Sequence, residues 1–133
     1  VIARFLDARA GGRLYPANRI WEVLTLEATA DGIMDAAVSA TYERRFRDGP
    51  MVSEDWIAAQ LGKITGALAA LEGRWMSHLH GPLDMGQIAV GCALGYLDFR
   101  HPGLAWRDAH PSLAAWYLDF SGRAAMQNTT PVG

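Results

Sequence analysis

The chain has 133 residues, half of them apolar and 20% charged, with a formal net charge of −2, enough length for one domain with a proper core. Basic residues stand singly apart from Arg44-Arg45, so nothing can track a phosphate backbone and nucleic acid is not an expected partner. No 18-residue uncharged apolar stretch and no signal-like segment occurs, so no membrane partner is expected, and the single cysteine, Cys92, fits a reducing, cytoplasmic compartment without an internal disulfide.

The sequence opens inside an apolar pattern, Val1, Ile2, Phe5 and Leu6, with no capping residue ahead of it. It then passes through Gly11-Gly12 to Leu14-Tyr15-Pro16, which reads as the end of a helix running into a linker. From Asn18 onward no segment keeps a period-two alternation, so helices alone are predicted. The first long one is expected from Asn18 to Phe46, with the stripe Val23, Leu26, Ala30, Ile33, Ala37 and Ala40 turned to the core, and it stops at Asp48-Gly49-Pro50.

Ser53 is the expected N-cap of the next helix, with Glu54 and Asp55 in its first turn and Ile57, Leu61, Ile64, Leu68, Leu71 and Trp75 along its buried stripe. Gly62 and Gly66 lie one turn apart beside that stripe. Each costs about 1 kcal/mol of helix propensity against Ala, which predicts a helix passing close by. A loop is expected from Ser77 to Pro82. His78 and His80 lie within it, and with no further ligand nearby they are not read as a metal pair; no metal is expected.

The next helix carries the clearest start signal of the chain. Asp84 is the expected N-cap and Gln87, at N3, is expected to reach back to the N-cap amide, while Leu83 and Ile88 flank them as a hydrophobic staple. The helix that follows is apolar on every face through Leu97, so it is expected to be surrounded, with burial disfavouring a Cys92 thiolate. After His101-Pro102-Gly103, a shorter helix from Pro111 to Gly122 is expected to bury Leu113, Trp116, Tyr117 and Phe120, with His110 at its start. A last turn is expected over Arg123 to Asn128, and Thr129 to Gly133 are expected to fray.

The chemically suggestive constellation lies on the first long helix. Glu27, Asp31 and Asp35 recur every four residues and line one strip, either as a solvated acidic face or as part of a cleft. Met34, Val38 and Tyr42 fall on nearly the same sector and would be an exposed apolar patch unless a cleft or a partner covers them. Trp106 and Tyr117 are further candidates for such a cleft and read rather as packing residues.

A capped and stapled apolar helix in the middle of an all-helical chain resembles the sixth helix of the glutathione S-transferase C-terminal domain. Family members usually carry Ser or Thr at the cap and Asp at N3, so Asp84 and Gln87 are a conservative variant. Val1 to Asp7, Gly11-Gly12 and Leu14-Tyr15-Pro16 are similar to the passage from the last helix of the family's thioredoxin-like domain into the linker. The resemblance therefore implies an all-α helical bundle over residues 16–133, a remnant of the thioredoxin-like domain over residues 1–15, and most of that domain lying outside these residues.

Further implications follow from the same resemblance. Asp31-Gly32-Ile33-Met34-Asp35 is similar to a D-G-V/I-x-D segment whose second aspartate, in some classes, crosses a homodimer interface to the γ-glutamyl ammonium of glutathione. That implies Asp35, with Asp31, as a glutathione-binding pair, while Met34, Val38 and Tyr42 either line the pocket of a hydrophobic electrophile or make core or dimer contacts. Glutathione is the implied co-substrate, and the groups that activate its thiol belong to the thioredoxin-like domain, so no catalytic residue is named. The alternatives are an association module on the same fold, without chemistry, or a glutathione-dependent isomerase, dehalogenase or reductase.

Overall fold

The computed structural model describes residues 1–131, which fold into helices with no strand among them. A short helix α1, Ile2–Arg9, is followed by a linker and a 3₁₀ turn at Ala17–Arg19 that leads into the long helix α2, Ile20–Phe46. The expected stripe of α2 is buried, and the alanines at 30, 36, 37 and 40 keep it thin enough for close packing. Helix α3, Glu54–Ala70, starts at Ser53, whose hydroxyl accepts the Trp56 N–H at 3.2 Å.

Where a loop from Ser77 was expected, the helix instead runs on. It widens into a π-helical turn, Leu71–Trp75, and continues as α4, Met76–Leu79. Trp75, half-buried, and Leu79, buried, hold this extension against the core cluster, which outweighs its weak helix-forming sequence. The expectation at Gly62 and Gly66 is also corrected: both are exposed, and a Cβ on either would meet nothing within 4 Å. The close approaches occur on α5, Met85–Arg100, where a Cβ on Gly86 would come within 2.8 Å of Leu26 Cβ and one on Gly91 within 2.5 Å of the Phe120 ring.

Helix α5 packs mainly along α2, and α2 also along α3; α7, Pro111–Ser121, covers α5 with Leu113, Trp116, Tyr117 and Phe120. Between α5 and α7 lie a 3₁₀ turn at Pro102–Leu104 and the single turn α6, Trp106–Ala109, which the sequence pattern did not announce. Helix α8, Ala124–Asn128, closes the described chain. Of the tail expected to fray, Thr129 and Thr130 donate their hydroxyls to the Ala125 and Met126 carbonyls at 2.8 and 3.0 Å, and residues 132–133 lie outside the described residues. No helix among the described residues is long and apolar enough to cross a membrane.

Candidate functional site

The turn before α2, helix α4 and the linker meet at the start of α5. Asp84, with no exposed surface, accepts the Gln87 N–H at 3.3 Å on one carboxylate oxygen; the other lies 2.8 Å from His78 Nε2 and 3.5 Å from the Arg19 guanidinium. A buried carboxylate needs such partners, and these come from the turn before α2 and from α4. The expected reciprocal bond from Gln87 to the Asp84 amide is absent. The Gln87 amide nitrogen donates instead to the carbonyls of His78, Gly81 and Pro82 at 3.1, 3.1 and 3.3 Å, because the loop folds back over the helix start and turns these carbonyls toward it. Leu83 and Ile88 are half-buried against the core.

The linker is tied to the same point. The Met85 amide donates to the Leu14 carbonyl at 2.9 Å, and the buried Asp7 carboxylate accepts the amides of Arg13 and Leu14 at 3.1 and 2.9 Å. Tyr15 donates its hydroxyl to Glu27 at 2.7 Å, with the Arg4 guanidinium 5.2 Å from its ring centroid; burial and then the Glu27 carboxylate raise the phenol pKa.

An open groove of about 530 Å³ lies along the outer side of α5. Cys92, Gly95, Tyr96 and Phe99 form its floor at spacings of three and four, Met34 of α2 stands on one side, and Tyr117 and Met126 stand on the other. The uniformly apolar α5 is thus not enclosed on every face, and the Cys92 thiol is exposed along this strip. Its pKa is nonetheless raised, because the surrounding apolar atoms desolvate the thiolate. At the rim, Asp98 receives both ends of the Arg107 guanidinium at 2.7 and 2.6 Å and the Trp106 indole N–H at 3.0 Å.

Of the acidic strip, Glu27 is half-buried and engaged by Tyr15, whereas Asp31 and Asp35 are exposed on α2 with no side-chain hydrogen bond or ion pair among the described residues. Met34 reaches the groove. Val38 lies half-buried one turn further on, outside the groove lining, and Tyr42 is half-exposed with its ring edge-to-face on Phe46 at 5.1 Å. Of the groove's main contributors, Tyr96, Phe99 and Met126 carry no mark in the sequence, Cys92 reads there only as a buried thiol, and Tyr117 reads as packing. An all-apolar helix does not announce which stripe its neighbours leave open; the one available signal was Gly95 beside Tyr96, a gap next to a bulky ring.

The geometry has close counterparts among known proteins. The family described as "Glutathione S-transferase, C-terminal domain" matches residues 54–118. A glutathione transferase family member from Pseudomonas fluorescens Pf-5, solved with bound S-(propanoic acid)-glutathione, is 46% identical with a TM-score of 0.96; the match covers 100% of this chain and 70% of that one. A glutathione S-transferase from Methylobacillus flagellatus KT with glutathione bound is 34% identical over 99% of this chain and 68% of that one, with a TM-score of 0.90. The uncharacterized GST-like protein YibF of Escherichia coli K12 is 33% identical over 111 residues, 82% of this chain. The chain spans 54% of that curated relative's length. The chain belongs to the glutathione S-transferase family and has the fold of its C-terminal all-helical domain.

Proposed function

We propose that this chain is the helical half of a cytoplasmic glutathione transferase that joins glutathione to hydrophobic electrophiles, with residues 1–15 the end of a thioredoxin-like domain and residues 16–133 the helical domain. The observation that carries the reading is the apolar groove on α5, present in a fold whose 46%-identical counterpart binds a glutathione S-conjugate. The thioredoxin-like half would hold and activate the thiol; the groove would take the electrophile, its apolar lining replacing water around the reacting carbon. Met34 would line this pocket, with Val38 and Tyr42 extending the same face of α2 toward a second subunit.

In a homodimer, Asp35 would face the γ-glutamyl ammonium of glutathione held by the other subunit, with Asp31 one turn away reinforcing the negative field. That both carboxylates are exposed and without side-chain partners among the described residues supports this reading. The test is glutathione-dependent turnover of benzyl chloride by the full-length protein, followed by loss of the glutathione thiol. A rate above the uncatalysed reaction that saturates in both substrates is expected, and a rate equal to the uncatalysed one overturns the proposal.

A further inference from the structure

Tyr117 carries a polar group in the groove that has no partner among the described residues. The residue is 9% exposed and its ring packs edge-on against Trp106 at 6.0 Å between centroids, yet its hydroxyl makes no hydrogen bond among the described residues. The oxygen reaches α5 at Gly95, where a Cβ would stand 3.0 Å away. A side chain there would cover it; glycine leaves it open to the groove.

Three of the neighbouring polar side chains are otherwise engaged. Asp98 is taken up by Arg107 and Trp106, and the hydroxyl protons of Thr129 and Thr130 go to backbone carbonyls. Tyr96 is half-buried and its hydroxyl, like that of Tyr117, makes no hydrogen bond among the described residues, while the Cys92 thiol is a weak donor. A phenol on an apolar wall is well matched to one acceptor oxygen on an otherwise apolar molecule. Burial and then the Asp98 charge raise the Tyr117 pKa, so at neutral pH the group holds its proton and donates.

We infer that Tyr117 Oη donates a hydrogen bond to a carbonyl-type oxygen on the second substrate, and so selects, among hydrophobic compounds, those that carry such an oxygen. This inference rests on the reading of the groove as the electrophile site. A compound without the oxygen strips water from the hydroxyl and returns nothing, so discrimination comes from the unpaired donor as much as from the bond formed.

Cys92 allows a test that needs no turnover. In the full-length protein, protection of the Cys92 peptide from iodoacetamide at about pH 8 is followed with 4-phenylbutan-2-one and with butylbenzene, which share shape but differ in the oxygen. The ketone is expected to protect at about tenfold lower concentration than the hydrocarbon, as one net hydrogen bond gives. Tyr117→Phe keeps the ring and is expected to abolish that difference while leaving protection by butylbenzene within about twofold.

Equal protection by the two compounds in the wild type, no protection by either, a preference that survives Tyr117→Phe, or a preference lost instead in Tyr96→Phe each overturns the inference. A ketone preference that falls with Tyr117→Phe, in a protein that conjugates glutathione to nothing, upholds the role of Tyr117 and overturns the transferase reading alone.

Discussion

The Glu72 carboxylate receives the Leu113 amide at 2.7 Å, so the N-terminus of α7 is capped by a side chain 41 positions earlier, on the π-helical turn that follows α3. The Ser112 amide joins it at 3.1 Å, whereas the residue at the N-cap position, His110, makes no side-chain cap and turns its Nδ1 to the Trp106 carbonyl at 2.7 Å. The wider π turn and the cap of α7 are thus two sides of one contact.

Glu72→Ala is expected to lower stability by about 0.5–2 kcal/mol, as loss of a cap does, measured by urea denaturation at neutral pH. Burial pushes the Glu72 pKa up, but the hydrogen bonds from Leu113 and Ser112 outweigh it and hold the folded value below the ordinary glutamate value. The contribution is therefore full above the ordinary glutamate range and lost as pH falls through the folded value, so wild type and Glu72→Ala should converge in acid. A difference that stays constant as the pH falls through the carboxylate range into strong acid would contradict the assignment.

Asp84 makes a sharper comparison. Asp84→Ala leaves Arg19, His78 and the Gln87 amide without their acceptor and should cost about 1.5–3 kcal/mol, while Asp84→Asn keeps a capping oxygen and should cost less than half of that. Equal losses in thermal or urea unfolding would mean that the cap geometry contributes nothing.

The glycines separate by what surrounds them. Gly91→Ala would drive a Cβ into the Phe120 ring and should destabilise by about 1–3 kcal/mol, whereas Gly62→Ala and Gly66→Ala meet nothing and should stabilise by up to about 1 kcal/mol each. Melting temperatures of the three variants decide it, and a destabilising Gly62→Ala would restore the close helix approach that its spacing suggested.

What was legible in the sequence follows from period and local chemistry. The α2 stripe, the Ser53 cap and the buried face of α7 are set by side chains three or four apart, so they can be read one segment at a time. Glu72 over α7, Tyr15 on Glu27 and Gln87 on the preceding carbonyls depend on how segments meet, and nothing local marks them. The candidate groove was the least legible part, because its floor is the one uncovered stripe of a helix apolar all round, and coverage is a property of the neighbours.

The acidic strip on α2 yields a kinetic prediction. Asp35→Asn in the full-length protein should raise the KM for glutathione by about tenfold or more if the site is dehydrated, and much less if water reaches it, because an amide cannot match a carboxylate facing an ammonium. Glu27, two turns earlier, is no neutral control: its bond to Tyr15 secures the linker, so Glu27→Gln is expected to show in unfolding as well. Asp31→Asn, exposed on the same strip, is the better comparison and should change the KM only slightly. An unchanged KM in Asp35→Asn would leave the strip a solvated face.

The most direct measurement compares S-methylglutathione with S-hexylglutathione binding to the full-length protein by titration calorimetry. If the groove on α5 adjoins the sulfur of bound glutathione, the five additional methylenes enter it. At about 0.8 kcal/mol for each one fully buried, half that effect already gives about thirtyfold tighter binding. The account predicts S-hexylglutathione tighter by at least about tenfold. Equal affinities for the two, or binding of neither, would contradict it.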